Sequence, residues 1–270
     1  MRVSVPLAVG LLVASCGVSP DDPEEVFWEM FRRQARQQVV HTRRERFPDP
    51  DLARERVLVK VHDEVQDYST GRHIGASIEH WRGRSRLWSK CVDGLDHGYL
   101  PSQEKWSAPQ ESALCRVPSR PFLGDGIIPG GLSAEQADAM IRALRRPAHR
   151  FLTAHRVASV HVNGRDFLRI SVRARPVGDW DMQHLVFAFR ATGEDSAYPY
   201  HAADNTGAGA DLTYYVDPET LLPAYTRRQE LPAGDRAGAV VRVEYVRPAR
   251  VPADPFADTR AWSLEWPDRL

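Results

Sequence analysis

The side chains with the most reactive chemistry in this chain are the thiols of Cys16, Cys91 and Cys115. A thiol can be acylated, can join a second thiol in a disulfide, or can serve as a nucleophile or metal ligand. Which of these applies depends on the compartment, and the N-terminus of a chain is where its compartment is encoded. The sequence around Cys16 therefore bears on the chemistry of the other two cysteines.

Cys16 closes an N-terminal segment that has the parts of an export signal. Arg2 supplies a positive charge, residues 3–13 are mostly apolar, and the small residues Ala14 and Ser15 suit a signal peptidase. A cysteine directly after such a site resembles the lipobox of bacterial lipoproteins.

The lipobox resemblance implies that residues 1–15 are removed as a signal peptide and that Cys16 becomes the lipidated N-terminus. The apolar stretch is shorter than the about 20 residues that a spanning helix needs. We therefore expect attachment to the cell membrane through N-terminal acyl chains, at its extracytoplasmic face, with residues 16–23 as a lipidated terminus and short tether. The alternative is a plain secretory signal that happens to lie beside a cysteine.

Cys91 and Cys115 are expected to form a disulfide, because an exported protein folds in an oxidising space. Such a bridge closes a loop of about 25 residues and contributes roughly 3–4 kcal/mol through loop entropy. Two separate buried thiols are the alternative. A catalytic cysteine is disfavoured because no known signature surrounds either residue.

Other catalytic, cofactor and metal patterns are absent from the sequence. The glycines near residues 124–131 lack the spacing of a phosphate-binding loop, and no G-x-S-x-G elbow occurs. The ten histidines show no H-E-x-x-H or Cys/His ligand spacing. The sequence thus predicts no enzyme, no cofactor and no metal. Four histidines on strand-like segments could still meet in space: His73, His80, His155 and His161.

The charge balance argues against nucleic acid as a partner. The 36 basic and 36 acidic residues give a formal net charge of zero. Phosphate binding requires a clustered excess of cations.

Two helices are predicted. Residues 23–40 have Asp22 as an N-cap, Pro23 in the first turn and aromatic residues near the helical period. Residues 133–144 begin with Ser133 and Gln136 in a capping-box pattern. A further helical turn is expected at residues 151–155.

Strands dominate the remaining sequence, as shown by alternating apolar and polar residues. Asn163-Gly164 is a hairpin turn signal between two of them. Because the connections are short, the sheet should be antiparallel, with one covered face and one wet face. The segment 93–120 reads as a loop. The predicted strands are 56–67, 74–82, 84–92, 160–162, 167–174, 184–190, 212–217, 224–229 and 239–246.

Two short motifs resemble the LolA-like lipoprotein superfamily, which includes LolA, LolB, RseB, LppX and LprG. Residues 162–170 (VNGRDFLRI) resemble its hairpin with an Asn-Gly turn and a later leucine. Residues 214–223 (YYVDPETLLP) resemble its V-D-P-x-T-G-L-P turn, with Leu221 in place of the usual glycine. The order of elements over residues 24–250 also fits, which leaves 251–270 as a tail containing proline and tryptophan.

The resemblance implies an α+β fold in which a strongly curved antiparallel sheet, an incomplete β-barrel, has helices over its concave face. It also implies that an apolar cavity on that face binds or carries a lipid or another amphiphile without covalent chemistry. The expected lining residues are the apolar halves of the strands: Val57, Val59, Val61, Leu168, Ile170, Val172, Leu185, Phe187, Phe189, Val241, Val243 and Tyr245.

Three other interpretations stay open. The apolar residues can instead pack on the helices as a filled core. The chain can be an RseB-like envelope sensor that binds a membrane protein partner. An enzyme would require a tight cluster of histidine and aspartate that only the fold can reveal.

Overall fold

The computed structural model describes residues 22–47, 58–81, 84–112, 115, 126–145, 152–175, 209–231 and 238–254. The predicted signal peptide, Cys16, the strand at 184–190 and most of the C-terminal tail lie outside the described residues.

The first helix, α1, spans Pro23–Ala35. The Asp22 carboxylate caps it by accepting hydrogen bonds from the backbone N–H groups of Glu24 (2.8 Å) and Glu25 (3.3 Å). The helix ends before the predicted residue 40 because the β-branched pair at residues 39 and 40 enters the first strand, where the backbone pairs on both sides.

The second helix, α2, spans Ala134–Leu144 and has the predicted capping box. The Gln136 backbone N–H donates to Ser133 Oγ at 3.1 Å, and the Ser133 N–H donates to Gln136 Oε1 at 2.8 Å. Neither described helix is long and apolar enough to span a membrane.

Within the described residues, twelve strands form one antiparallel sheet that curves but does not close, in the predicted α+β class. Their order is β6-β5-β4-β3-β2-β1-β12-β11-β10-β9-β8, with β7 paired to β5. A 3₁₀ turn occupies Pro101–Gln103. The strands are β1 (Val39–Phe47), β2 (Leu58–Asp67), β3 (Arg72–Trp81), β4 (Arg84–Val92), β5 (Leu95–Leu100), β6 (Lys105–Trp106), β7 (Gln110–Glu111), β8 (Leu152–Val162), β9 (Arg165–Ala174), β10 (Ala210–Val216), β11 (Pro223–Glu230) and β12 (Val240–Tyr245).

The predicted hairpin is confirmed: Asn163 and Gly164 both have positive φ, 51° and 77°, as a type I′ turn requires. The helical turn predicted at 151–155 is wrong, since β8 already begins at residue 152. Four strands were not predicted. β1 is central in the sheet, and β5, β6 and β7 lie in the segment read as a loop.

Among the described residues, buried side chains lie on both faces of the sheet, which corrects the expectation of one covered and one wet face. We call the side covered by α1 and α2 the helix face and the opposite side the outer face. On the outer face, Phe47, Val61, Ile78, Phe167 and Val240 are buried as fully as the residues under the helices. Both sides of the sheet therefore carry buried side chains.

The turn between β10 and β11 is built by Asp217. Its Oδ1 accepts hydrogen bonds from the backbone N–H groups of Glu219 and Thr220 and from the Thr220 hydroxyl, at 2.9–3.0 Å. Leu221, at the position where the LolA-like motif has glycine, has φ 53°. Its side chain packs against the core on the helix face, so packing offsets a strained backbone.

Replacing Leu221 separates these two effects. Leu221→Ala and Leu221→Gly both lose the packing, but only the glycine variant relieves the left-handed backbone. We expect the glycine variant to be more stable than the alanine variant by about 1 kcal/mol. Urea unfolding of both proteins measures the difference, and equal stabilities would contradict it.

Candidate functional site

Over β8–β10, the helix face carries a cluster of buried side chains. Phe27 from α1 and Met140 from α2 are fully buried there, in one cluster with Ile170 and Val172 of β9, and Leu168 packs against it. Three residues predicted to line a cavity thus belong to this apolar cluster or pack against it.

Three more predicted lining residues, Val241, Val243 and Tyr245, pack with Val40 in a second buried group on the helix face. The Tyr245 hydroxyl accepts a hydrogen bond from the Ile128 N–H at 3.0 Å. Burial raises the pKa of Tyr245 to about 12, so the phenol stays neutral.

A small cavity adjoins this second group. Its volume of about 20 Å³ has room for about one water molecule. It is lined by Val40, Thr42, Glu64, Gln66, Tyr68, Ile127, Ile128 and Pro129.

The strand register divides the predicted lining between the two faces of the sheet. Val61 pairs with Glu45, which pairs with Arg242, so these three side chains share the outer face. Val241 and Val243 flank Arg242 along β12 and therefore point to the helix face. The predicted residues thus do not form one continuous surface.

The remaining predicted lining residues are not assigned to either face of the sheet. Val57, Leu185, Phe187 and Phe189 lie outside the described residues, and for Val59 only the backbone, in β2, is described. Their role in binding stays a prediction.

A cavity of about 240 Å³ lies on the outer face, across β1–β4. Its floor is two neighbouring rows of the sheet, one containing His41, Val65 and Ile74 and the other Asp63, Ala76 and Lys90. Three aliphatic side chains therefore occupy the middle of the floor, with ionisable groups at both ends. Gly75 completes the floor, and Arg250, Pro252 and Asp254 lie over it.

One end of the cavity holds a buried carboxylate between an imidazole and a guanidinium group. Asp63 Oδ1 lies 2.7 Å from His41 Nε2, and Asp63 Oδ2 accepts from Arg43 Nε at 2.6 Å. The Asp63 side chain is 5% exposed, so the pairing offsets its desolvation. Arg43 also lies 4.0 Å from Glu244, and burial raises the pKa of that second carboxyl group.

The other end of the cavity holds Lys90, which is buried in β4 with 3% of its surface exposed. Its Nζ lies 5.3 Å from the centre of the Trp106 ring, within cation–π range. The segment above the floor belongs to the chain after β12 and contributes the exposed residues Arg250 and Asp254.

The His41–Asp63 pair is the kind of cluster that would favour an enzyme, but its surroundings do not complete a catalytic set. The residues lining the cavity include no serine, threonine or cysteine beside the imidazole. Both Asp63 oxygens are engaged. The pair serves as a charged, hydrogen-bonded end wall of the cavity.

The helix face carries a second buried histidine, His73 of β3. Its Nε2 lies 2.7 Å from Glu64 Oε1, and both side chains are at least nine-tenths buried. Burial alone would lower the pKa of His73, but the hydrogen bond and charge of Glu64 outweigh it and raise the pKa. The buried pair ties β3 to β2 next to the loop that ends at Cys115.

The predicted disulfide between Cys91 and Cys115 is present. Among the described residues, these two sulfurs and Asp96 form the one group of three potential metal ligands within 4.8 Å of one another. Because the thiols are joined, they are not thiolate donors for a metal. His73 lies in β3 whereas His155 and His161 lie in the edge strand β8, so the described histidines named in the sequence analysis do not converge.

The cavity was not predicted because β1 was not predicted. No element was assigned to the residues between the first helix and residue 56, and Asp63 was not singled out within the predicted strand 56–67. A signal was present: Val39, Val40 and Thr42 are β-branched residues typical of strands.

No protein-family profile and no curated protein matches the chain. Solved structures with a similar fold include the lipoprotein LppX of Mycobacterium tuberculosis, with 8% identity and a TM-score of 0.43 over 86% of this chain and 100% of LppX. A chain of the MucA/MucB complex of Pseudomonas aeruginosa matches with 11% identity and a TM-score of 0.34, over 82% of this chain but only 54% of its own length.

A lipoprotein-sorting protein domain from Vibrio parahaemolyticus matches with 8% identity and a TM-score of 0.24, over 83% of this chain and 91% of the domain. These neighbours are of the kinds that the sequence resemblance names. At such identities the likeness concerns the general fold and carries no information on ligand or partner.

The raised pKa of His73 predicts a pH dependence of stability. The charged His73–Glu64 pair contributes fully below about pH 6.5, the ordinary pKa of histidine, and this contribution is lost as the pH rises through the higher folded-state pKa. We expect the difference in unfolding free energy between the natural protein and His73→Gln to shrink from pH 6 to pH 9. Urea unfolding across that range measures it, and a difference that grows with pH would contradict the assignment.

Proposed function

We propose that this chain is a lipid-anchored extracytoplasmic protein that binds a small amphiphile in the cavity on the outer face of the sheet. The observation that supports it is the cavity of about 240 Å³ with an aliphatic floor and ionisable ends. The proposal keeps the function class that the LolA-like resemblance implies and places the ligand on the face opposite the helices.

The composition of the cavity suits a molecule with two different parts. Val65, Ile74 and Ala76 offer an apolar surface on which each buried methylene contributes about 0.8 kcal/mol. The two ends of the cavity are polar, with Asp63 at one end and Lys90 at the other. Concave apolar pockets with a few fixed polar groups are typical ligand sites.

The size of the cavity limits the ligand. Pockets for drug-sized molecules hold about 300–1,000 Å³, and this cavity is slightly smaller. On the helix face, where long acyl chains would be expected from the resemblance, side chains of α1 and α2 pack against β8–β10. We therefore propose a ligand with a single short chain rather than a lipid with several long chains.

Filling the cavity tests the binding function. Ala76 is a small residue in the middle of the floor, so Ala76→Phe would place a ring where the chain lies. Excluding even two methylenes weakens binding by at least about tenfold. Titration calorimetry of the soluble form lacking residues 1–16, with decyl amphiphiles below their critical micelle concentrations, measures the effect.

The matched control is Ala158→Phe. Ala158 lies on the edge strand β8, far from β1–β4 in the sheet order. We expect it to bind as the natural protein does. Absence of binding by the natural protein, together with no lipid in organic extracts analysed by mass spectrometry, would overturn the carrier function and favour the sensor interpretation.

The lipid anchor has a separate test. Cys16→Ala removes the thiol that would carry the acyl chain, so the protein should move from the membrane fraction to the soluble extracytoplasmic fraction. Fractionation and immunoblotting measure this. Unchanged membrane retention would refute lipidation as the means of attachment.

A further inference from the structure

The strand β8 has an edge that is protected over its first half only. Among the described strands, β8 pairs with β9 alone. Near its start, a bulge at His155 interrupts the pairing with β9, and the Ala154 N–H donates to Glu24 Oε1 at 2.7 Å. Residues 157–162 have no bulge, no proline and no lysine, arginine, aspartate or glutamate. These are the features that usually keep a strand edge from pairing with another chain.

The hairpin turn determines which backbone groups this edge presents. Val162 and Arg165 flank the two-residue turn and exchange both hydrogen bonds, and every second pair along the hairpin does the same. With one residue added by the bulge, this alternation turns the Ala154 N–H away from β9, in agreement with its bond to Glu24. Three residues of the unprotected half also direct their N–H and C=O groups away from β9: Val157, Ser159 and His161.

Three arginines lie along this edge on the outer face. Arg165 and Arg169 alternate with the helix-face residues of β9, and Arg156 pairs with Ser171, the next outer-face residue of that strand. Arg156 and Arg165 are exposed, and Arg169 is half-buried. Among the described residues, the ion pairs of β8 and β9 involve other side chains, so none of the three arginines forms an ion pair with a carboxylate.

Two of these arginines contact neutral groups instead. Arg165 lies over the Phe167 ring, 5.2 Å from its centre. Arg169 hydrogen-bonds the hydroxyl group of Tyr215, its neighbour on β10. The charge of Arg165 also acts on Asp217, but three hydrogen bonds already occupy one oxygen of that carboxylate. The positive charge beside the edge is thus not matched by ion pairs within the part of the chain that the structure describes.

The helix-face side of the same edge has a different character. His161 Nδ1 lies 2.7 Å from Asp166 Oδ1, and both side chains are exposed. Val157 packs against the buried cluster under α1. A strand added to this edge would therefore meet the three arginines on its outer-face side only.

From this arrangement we infer that residues 157–162 of β8 bind an extended acidic segment of a partner protein as an additional antiparallel strand. The main chain of the segment pairs with the outward groups of β8, and carboxylates at alternate positions pair with the arginines on the outer face. This interaction surface is separate from the cavity across β1–β4 and does not depend on the proposed amphiphile.

The register of the hairpin gives the positions of the carboxylates. A carboxylate opposite Arg156 contacts it directly. A carboxylate opposite Ala158 faces Arg169 across that small residue, and one opposite Val162 faces Arg165 in the same way. The two arginines of β9 lie two strand spacings, about 10 Å, from the added strand, a distance that an arginine and a glutamate side chain span together.

A second copy of this chain fits the edge less well. Antiparallel pairing of two β8 strands about Ser159 would place Arg156 opposite Val162 of the other copy. Arg165 lies directly behind that valine on β9, so arginines of the two copies would lie about 10 Å apart on one face. Like charges across a strand pair are destabilising, which favours an acidic partner over self-association.

The test titrates fluorescently labelled peptides with the full chain in a nonionic detergent and measures anisotropy. The acidic peptide ETVTETE, whose valine lies opposite Val160, should bind at least about tenfold tighter than the neutral peptide QTVTQTQ. Added salt should weaken the binding of the acidic peptide. N-methylation of its central threonine, which pairs with Ser159, should abolish binding, because it removes a main-chain donor and leaves the charge unchanged.

Two variants locate the site on the protein. Ser159→Pro removes an outward N–H and leaves the hydrogen bonds between β8 and β9 in place, so it should abolish binding. Ser159→Thr keeps the N–H and is the matched control, which should bind as the natural protein does. Arg156→Gln should weaken binding of the acidic peptide by about threefold to fivefold, whereas Arg142→Gln, exposed on α2, should not change it. The N-methylated peptide tests the same main-chain pairing without altering the protein.

Three results would overturn the inference. Absence of binding by the acidic peptide, or equal binding of the acidic and neutral peptides, would rule out an acidic partner at this edge. Binding that neither N-methylation nor Ser159→Pro affects would rule out strand addition. Dimerisation of the chain in analytical ultracentrifugation that Ser159→Pro prevents would assign the edge to a second copy instead.

Discussion

The arrangement of this fold depends on the burial of α1 between α2 and the strands β8–β10. Phe27, Trp28 and Phe31 form an aromatic ridge with ring centres 4.8–6.4 Å apart, and Phe27 also contacts Tyr214 of β10. Such contacts add about 0.5–1.5 kcal/mol to the burial of the rings. With this ridge in place, buried side chains cover the helix face over these strands, and the cavity of about 240 Å³ lies on the other side.

A single carboxylate holds the ridge in position. Glu24 Oε2 accepts a hydrogen bond from Trp28 Nε1 at 2.8 Å, and Glu24 Oε1 accepts one from the backbone N–H of Ala154 at 2.7 Å. One side chain thus links the first turn of α1, its largest aromatic ring and the edge strand β8. A charge-assisted bond of this kind is both stronger and more directional than a neutral one, so it sets the rotation of the helix over the sheet.

Local signals in the sequence predicted local structure well. The Ser133–Gln136 capping box and the Asn163-Gly164 turn depend on neighbouring residues, and both appear where expected. β1 was not predicted, because its arginines and glutamate resemble the polar side of a helix. Its role as a strand depends on pairing with β2 and β12. The cavity was not predicted for a related reason. Alternation shows that Val61 and Val243 each lie on an apolar row, but only the register shows that the two rows lie on opposite faces of the sheet.

The pairing of β1 with β12 has a consequence for how the protein is made. Thr42 lies beside Tyr245, so the seam at the middle of the sheet joins the first and last described strands. A ribosome produces β1 long before β12, and until then β1 has only β2 as a sheet neighbour. Contacts of such sequence separation form slowly. The nascent chain therefore keeps one edge of β1 unpaired until β12 has been made. A chaperone that shields this strand until synthesis ends would act at the step on which successful maturation depends.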